Sequence, residues 1–184
     1  SDGIYLVDSG EQYNTGQTWS DATETSTGAN TTTGNLTGTF NGELLSGGPI
    51  VGAGTTYTAT LDNPLPVGSY TPGLVISNAA DTVVFNLQDS STVTWTTADA
   101  PSGLTAGSPG IFDAKTVGSP VTGITITVDS ASGGVGLKSI TVDGKVLVDP
   151  NQPTGSVTFF KNGVDLGEAY SNIPANDYLV GIGS

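Results

Sequence analysis

Several segments of the chain alternate apolar and polar residues with a period of two. In the clearest of them, Ile124, Ile126 and Val128 share one face and two threonines occupy the other. Successive side chains of a strand point to opposite faces, so this alternation predicts a strand with one face in a core and one in water. No segment combines apolar residues at helical spacing with matching caps, which predicts an all-β chain. The period of two predicts further strands at 57–61, 82–87 and 92–96, and shorter ones at 4–7, 74–76 and 178–182.

Two hairpins are predicted from their turn dipeptides. Asp143-Gly144 separates the runs 139–142 and 145–148, and Asn162-Gly163 separates 157–161 and 164–166. Both dipeptides tolerate the positive φ angles of a two-residue type I′ turn, whose twist matches that of paired strands. Each hairpin also carries a lysine, Lys145 or Lys161, and a charge there discourages pairing between the edges of different sheets.

The chain also contains segments that are typical of connections. The polar segment 15–39 is rich in Thr, Gly and Asn and is predicted to be a surface loop or a linker. The turn-rich stretch 149–153 is the best domain boundary, and it divides the chain into a domain at 1–149 and a C-terminal hairpin at 150–184. A piece as short as the second rarely folds alone, so we expect it to pack on the first domain or on a neighbouring chain. Further connections are predicted at Gly47-Gly48, Asn63-Pro64, Pro66, Pro72, Pro101 and Pro109.

The amino-acid composition excludes several classes of function. The sequence contains no His, Cys, Met or Arg, which excludes a histidine general base, a thiolate nucleophile, an arginine clamp and an ordinary zinc site. We therefore expect no enzyme activity. The 17 acidic residues against 4 lysines give a net charge of -13, which repels nucleic acid and anionic membranes. The partners we expect are protein, sugar or cation.

The sequence carries no mark of a membrane span or of a secretion signal. No apolar run approaches the roughly 18 residues of a spanning helix, and no basic start followed by an apolar stretch marks a secretion signal. We expect no membrane insertion, and either a signal removed by processing or an exit from the cell that needs none.

Residues 137–149, LKSITVDGKVLVD, carry the first family resemblance. This stretch resembles a closing strand pair that recurs in virion structural proteins of marine tailed phages, especially cyanophages. The opening 4–10, followed by Trp19-Ser20-Asp21 and Phe40-Asn41-Gly42, is similar to the start of a discoidin-like, galactose-binding-like jelly roll. Asn41 stands where that module more often has Asp, which weakens the transfer of a cation role to this turn. The resemblance covers about 1–149 and implies a jelly-roll sandwich in a virion.

A second resemblance covers residues 155–170, GSVTFFKNGVDLGEAY. This segment is similar to the penultimate hairpin of SPRY and concanavalin-like sandwiches, which is followed by a strand resembling 178–182. We interpret it as a shared hairpin solution. The alternative is that the whole chain is one sandwich of that class.

The acidic residues suggest two kinds of chemistry. Glycoside hydrolysis needs a pair of carboxylates at a defined separation, but Glu11, Glu24, Glu43 and Glu168 are scattered in turn-like contexts and mark no pair. No catalytic residue is therefore predicted. A structural calcium ion is more plausible than a hydrolytic site, because calcium binds carboxylate and carbonyl oxygens. Ordinary turn capping explains its candidate ligands as well. These candidates are Asp62 with Asn63, Asp8 with Glu11, and Asp149 with Asn151.

Aromatic residues and lysines provide the remaining candidates. Trp19 lies in a polar segment and is the best platform for sugar stacking, although the resemblance favours a core position; Trp95 alternates with Val93 and is predicted to be core. Tyrosines fill core edges as readily as they bind sugars. They are Tyr5, Tyr13, Tyr57, Tyr70, Tyr170 and Tyr178. An intramolecular isopeptide bond would need a lysine buried beside an acid, which the polar surroundings of Lys115, Lys138, Lys145 and Lys161 disfavour.

These observations predict an antiparallel β-sandwich of jelly-roll type with an additional C-terminal hairpin. We expect a non-enzymatic structural component of a phage virion, in a tail, fibre or capsid appendage, located in the extracellular particle. It would assemble with other virion proteins and with copies of itself, contact a host-surface glycan, and need no cofactor. The alternative is a carbohydrate-binding module of a phage or secreted bacterial protein.

Overall fold

The computed structural model describes residues 11–13, 17–149, 157–161 and 164–170, with side chains at 17–149. Its antiparallel sheets pack as a β-sandwich, which confirms the all-β prediction. The chain divides into two compact units, Ser1–Gln152 and Pro153–Ser184. The boundary expected after Asp149 lies slightly before this division.

The described residues form fifteen strands and two short 3-10 helices. The helices are Leu36–Phe40 and Thr97–Asp99. The strands are β1 (Glu11–Tyr13), β2 (Ala22–Gly28), β3 (Thr32–Thr33), β4 (Ile50–Val51), β5 (Thr55–Leu65), β6 (Gly68–Ile76), β7 (Thr82–Leu87), β8 (Thr92–Trp95), β9 (Gly110–Ile111), β10 (Lys115–Val117), β11 (Val121–Thr127), β12 (Val135–Val142), β13 (Lys145–Leu147), β14 (Val157–Lys161) and β15 (Val164–Tyr170).

One sheet of the first unit has five antiparallel strands in the order β2-β5-β11-β7-β8. The register aligns Tyr57, Ile126, Val83 and Trp95 in a row across four strands, and all four side chains are buried. The alternate positions face away from the core. The alternation of apolar and polar residues therefore separates a buried face from a solvent-exposed face, as predicted from the sequence.

The other sheet has eight strands and is centred on β6 and β12, which pair along nearly their full lengths. Strands β9 and β10 continue the sheet beyond β6, while β4 with β3 and β13 with β1 continue it beyond β12. The pairing of β1 with β13 is parallel, unlike the other pairs of the described strands. The sequence gives no indication of β1.

Aromatic side chains join the two sheets. The ring of Tyr70, on β6, meets that of Phe85, on β7, edge-on, with 5.7 Å between their centroids. Phe85 also packs on Trp95, with 4.8 Å between centroids. The chain crosses from one sheet to the other between β5 and β6, between β6 and β7 and between β11 and β12. Strands of the two sheets therefore alternate along the sequence, and the core lies between the sheets.

Both predicted hairpins are present. In the first, Asp143 and Gly144 have φ angles of 50° and 78°, as a type I′ turn requires. In the second, β14 and β15 pair antiparallel, while the turn residues Asn162 and Gly163 lie outside the described residues. The packing partner of this hairpin stays a prediction.

The prediction of a loop or linker at 15–39 is wrong for its described part. From residue 17 onward this segment contains β2, β3 and most of the first 3-10 helix, and Trp19 and Leu36 are buried. Strand β2 is an edge strand whose side chains are mostly exposed, so it shows no apolar alternation. Its threonines nevertheless favour an extended backbone because they are β-branched.

Two of the predicted connections are also wrong. Asn63-Pro64 lies inside β5, where the pairing with β11 shifts register, so the proline nitrogen is not needed in a regular ladder. Pro72 lies inside β6, and its carbonyl accepts from Phe112, so its nitrogen faces the gap between β9 and β10. The remaining predicted connections lie between strands, and the predicted strands at 4–7 and 178–182 lie outside the described residues.

Candidate assembly surface

Threonine dominates the outer face of the five-stranded sheet. Strand register aligns its outward positions in three rows, of which eleven of fourteen positions are threonine. Every one of these threonines is exposed or half-buried. We call this surface the threonine face. Its rows are Thr25, Thr58, Thr125, Val84 and Thr94; Thr27, Thr56, Thr127 and Thr82; and Thr23, Thr60, Gly123, Asn86 and Thr92.

The threonine face is regular and carries no charge. Neighbouring strands of a sheet lie about 4.8 Å apart and alternate residues about 6.7 Å apart along a strand, so hydroxyl and methyl groups repeat at these intervals. On the face itself, the amide of Asn86 donates to the hydroxyl of Thr125 at 3.0 Å. On β5 the next outward residue after Thr60 is Asp62, and on β2 Glu24 lies between Thr23 and Thr25 with its side chain on the core side of the strand. The result is an uncharged surface on a chain whose net charge is -13.

The two edges of this sheet differ. At β8, the ammonium of Lys115 donates to the carbonyl of Thr94 at 2.6 Å, and the indole of Trp95 donates to the carbonyl of Asp113 at 3.0 Å. A segment of the other sheet therefore covers the β8 edge. At β2, the register with β5 runs without interruption from Ala22 to Gly28, and every residue after Ala22 is exposed.

Glu24 is the single charged residue of β2, and its side chain lies on the core side of the strand while remaining exposed to solvent. Its carboxylate accepts from the Tyr57 hydroxyl at 2.9 Å and from the Leu36 backbone at 3.3 Å. Burial raises the pKa of the Tyr57 hydroxyl, and the hydrogen bond and negative charge of Glu24 raise it further. Tyr57 therefore remains a neutral donor, and Glu24 fastens the edge strand to the core and to the first 3-10 helix.

Other acidic side chains fasten loops. Asp149 is buried and accepts from the backbone nitrogens of Trp19 and Ser20, at 2.5 and 3.3 Å, and from the Ser20 hydroxyl. Asp81 is buried and accepts from the backbone nitrogens of Asn78 and Asp129. These carboxylates act as structural acceptors between parts of the chain that are far apart in sequence.

Lys115 and Asp99 form an ion pair with 2.7 Å between the ammonium and the carboxylate. Partial burial raises the pKa of Asp99, but the hydrogen bonds from Lys115 and Thr96, together with the Lys115 charge, outweigh it and hold that pKa below 3.8. The Lys115 ammonium also lies 5.7 Å from the centroid of the Trp95 ring. Both side chains are partly exposed, unlike the buried pair that an isopeptide bond requires.

The structure places the carboxylate and calcium candidates apart from any built site. Glu43 accepts from the Ser46 hydroxyl within its own loop, and the amide of Asn63 donates to the carbonyl of Thr18 at 3.0 Å. Across the described residues, no three acidic side chains lie close enough to hold a metal ion. The side chains of Glu11, Glu168, Asp8 and Asn151 lie outside the described residues, so the candidate pairs that include them stay predictions.

The candidate sugar platforms that the structure describes are buried. Trp19 is 3% exposed and Trp95 is inaccessible, so the core positions favoured for both are confirmed. Tyr57 and Tyr70 are also buried. Every aromatic side chain within 17–149 lies in the core, which leaves no ring there for a sugar to stack on. The side chains of Tyr5, Tyr13, Tyr170 and Tyr178 lie outside the described residues.

The remaining lysines lie on strands, Lys138 in the middle of β12 and the other two at strand ends. Lys138 donates to the carbonyl of Gly47 at 3.1 Å, and Lys145, in the first hairpin, is half-buried. The side chain of Lys161 lies outside the described residues.

Sequence reasoning missed the threonine face, although a signal for it exists. Threonine recurs at every second position in 23–27 and 56–60, and again at Thr125 and Thr127. Each repeat by itself indicates a solvent-facing strand side. Only the register shows that they are neighbours.

No protein-family model, curated protein or solved structure matches this chain. Within the described part of the chain, no helix is long and apolar enough to cross a membrane. The resemblances to virion proteins, to discoidin-like modules and to SPRY-like hairpins remain predictions.

Proposed function

We propose that this protein is a non-enzymatic structural component of a phage virion that assembles with other virion proteins through the threonine face. The observation that carries the proposal is an uncharged surface of fourteen strand positions on a chain with net charge -13. Two acidic proteins repel each other when their charged surfaces meet. Another acidic subunit can pack on the threonine face without bringing like charges together.

The chemistry of threonine suits such a contact. Each hydroxyl donates and accepts a hydrogen bond, and each methyl group adds apolar area. Five strands about 4.8 Å apart give a patch smaller than the roughly 800 Å² per partner of a stable protein complex. Each contact is therefore weak, and many copies in a particle would make weak contacts sufficient.

The location in a particle rests on the resemblance at 137–149 and is tested directly. An antibody raised against the purified chain should detect it in density-gradient-purified phage particles and should label a tail, fibre or capsid appendage in immunogold electron microscopy. Particles that lack the chain while the lysate contains it would refute the proposal.

The role of the threonine face is tested by introducing charge. The double variant Thr58→Glu and Thr125→Glu places two acids at the centre of the face, and we expect its incorporation into particles to fall at least tenfold. Thr105→Glu, at an exposed loop position, is the control for an added acid away from the threonine face and should be incorporated normally. Equal incorporation of both variants would exclude the threonine face as the assembly surface.

A further inference from the structure

In the described part of the chain, strand β2 lacks most of the usual guards of a sheet edge. An edge strand presents unpaired N–H and C=O groups, and proteins protect it by shortening, by lysine or proline, by a bulge or by a cover. β2 has seven residues, contains neither lysine nor proline, and pairs with β5 without a register shift. Its residues 23–28 are all exposed.

β2 carries one charge, Glu24, and its carboxylate is already bound on the core side of the strand. Its partners there are Tyr57 and Leu36. The outward-facing residues are Thr23, Thr25 and Thr27, which carry no charge. By contrast, the opposite edge of the same sheet is four residues long and receives the ammonium of Lys115 on the Thr94 carbonyl. Within the residues that the structure describes, one edge of the sheet is therefore covered and the other is open.

We propose that the open edge pairs with a second copy of this chain, β2 against β2, in an antiparallel twofold dimer centred on Thr25. This inference rests on the proposed assembly function and names its first partner. A twofold axis makes the same patch serve both subunits. An antiparallel pair of identical strands satisfies that symmetry, and Thr25 is the middle residue of Ala22–Gly28, so the centred register uses all seven residues of each strand.

Side-chain pairing favours the same register. With Thr25 opposite Thr25, Thr23 lies opposite Thr27 and Glu24 lies opposite Ser26, so no two charges lie directly opposite each other. Threonine pairs directly opposite each other stabilise antiparallel strands. A shift by two residues in one direction sets Glu24 opposite Glu24, which is destabilising. A shift in the other direction leaves fewer residues paired.

The dimer extends the threonine face. Pairing at β2 joins two five-stranded sheets into one of ten strands. The rows through Thr23, Thr25 and Thr27 continue from one copy into the next. The assembly surface doubles in area and remains uncharged, which brings it into the size range of stable protein contacts.

The test measures the mass of the full chain in solution. We expect sedimentation equilibrium of the wild-type chain to give twice its 18.4 kDa at high micromolar concentration. Thr25→Lys sets two lysines against each other at the axis and should halve the mass. Thr60→Lys makes the same change on the same face one strand inward and should leave the dimer intact. Circular dichroism establishes that both variants fold.

A mixing experiment distinguishes the axis from a general effect of charge. Thr25→Glu alone should be monomeric, and an equimolar mixture of Thr25→Lys and Thr25→Glu should recover the dimer mass, because the opposite charges then meet. A wild-type chain that stays monomeric overturns the inference. Loss of the dimer in Thr60→Lys as well would indicate face-to-face packing and also overturn it. A dimer that is absent from virions would refute the proposed function and leave the pairing intact.

Discussion

Asp149 shows how a single acidic residue joins the two ends of the sandwich. It receives three hydrogen bonds from Trp19 and Ser20, about 130 residues earlier in the chain. Its own backbone nitrogen donates to the carbonyl of Phe40 at 3.1 Å. A buried carboxylate with several donors is a structural acceptor, so the predicted pairing of Asp149 with Asn151 in a calcium site is not needed to explain this residue.

The first prediction concerns this acceptor. Asp149→Asn replaces one acceptor oxygen with a donor, leaves a buried partner unsatisfied, and should lower the free energy of unfolding by about 2 kcal/mol. Asp62→Asn makes the same change at an exposed position and should alter it by less than about 0.5 kcal/mol. Urea denaturation measures both. Equal effects would show that Asp149 has no special role.

The second prediction concerns pH and the pair of Asp99 and Lys115. A lowered folded-state pKa makes ionised Asp99 stabilising above its unfolded pKa, and this stabilisation is lost as the pH falls through the folded value. Asp99→Asn should cost about 0.5 kcal/mol at about pH 6, because both groups are partly exposed, and almost nothing at about pH 2. Thermal melts of both chains measure this. A difference that is the same at both pH values would contradict it.

At the scale of elements, the structure shows which sequence patterns are sufficient to predict a strand. The alternation of Val83, Phe85 and Leu87 predicts β7 because these three apolar side chains all point into the core. Strand β2 has no such pattern, because an edge strand packs little of its surface. Pro64 and Pro72 mislead for a related reason: a proline fits in a strand wherever its nitrogen has no partner to bond.

The third prediction tests the loop that precedes β4. Gly48 has φ of +69°, and a Cβ there would lie 1.8 Å from the carbonyl oxygen of Leu137 on β12. Gly48→Ala should therefore destabilise the fold by about 3 kcal/mol, since backbone must move. Gly103 also has positive φ, at +85°, but its Cβ would meet nothing within 4 Å. Gly103→Ala should cost about 1 kcal/mol, and comparable losses in chemical denaturation would contradict the steric explanation.

At the scale of the whole molecule, the chain consists of two compact units. The first contains both sheets of the sandwich and the aromatic contacts between them. A unit with its own core should fold without the rest of the chain.

The fourth prediction follows from this division. A chain ending at Gln152 should melt cooperatively and within about 3 °C of the full chain, because the hydrogen bonds that close the sandwich end at Asp149. Differential scanning calorimetry measures the transition. A chain ending at Val142 lacks β13 and Asp149 and is the control that should not fold. Loss of the cooperative transition in the longer chain would contradict the independence of the first unit.

The candidate surface was harder to predict than the sandwich. The core alternation is local, and each strand shows it separately. The threonine face requires five strands to be placed in order, β2-β5-β11-β7-β8, and that order brings Thr25 beside Thr58 and Thr125 from distant parts of the chain. Apart from hairpins, spacing along the sequence does not show which strands become neighbours.

Exposed or half-buried residues alternate with buried ones along most of β5 and β7, so the outward residues can be substituted without disturbing the core. Substitutions at exposed positions typically change stability by less than about 0.5 kcal/mol, whereas those in the core change it several-fold more. The outer threonines can therefore be exchanged one by one while the inward aliphatic and aromatic residues hold the same architecture. Proteins built on this scaffold can therefore change their outer surface while their core and fold stay the same.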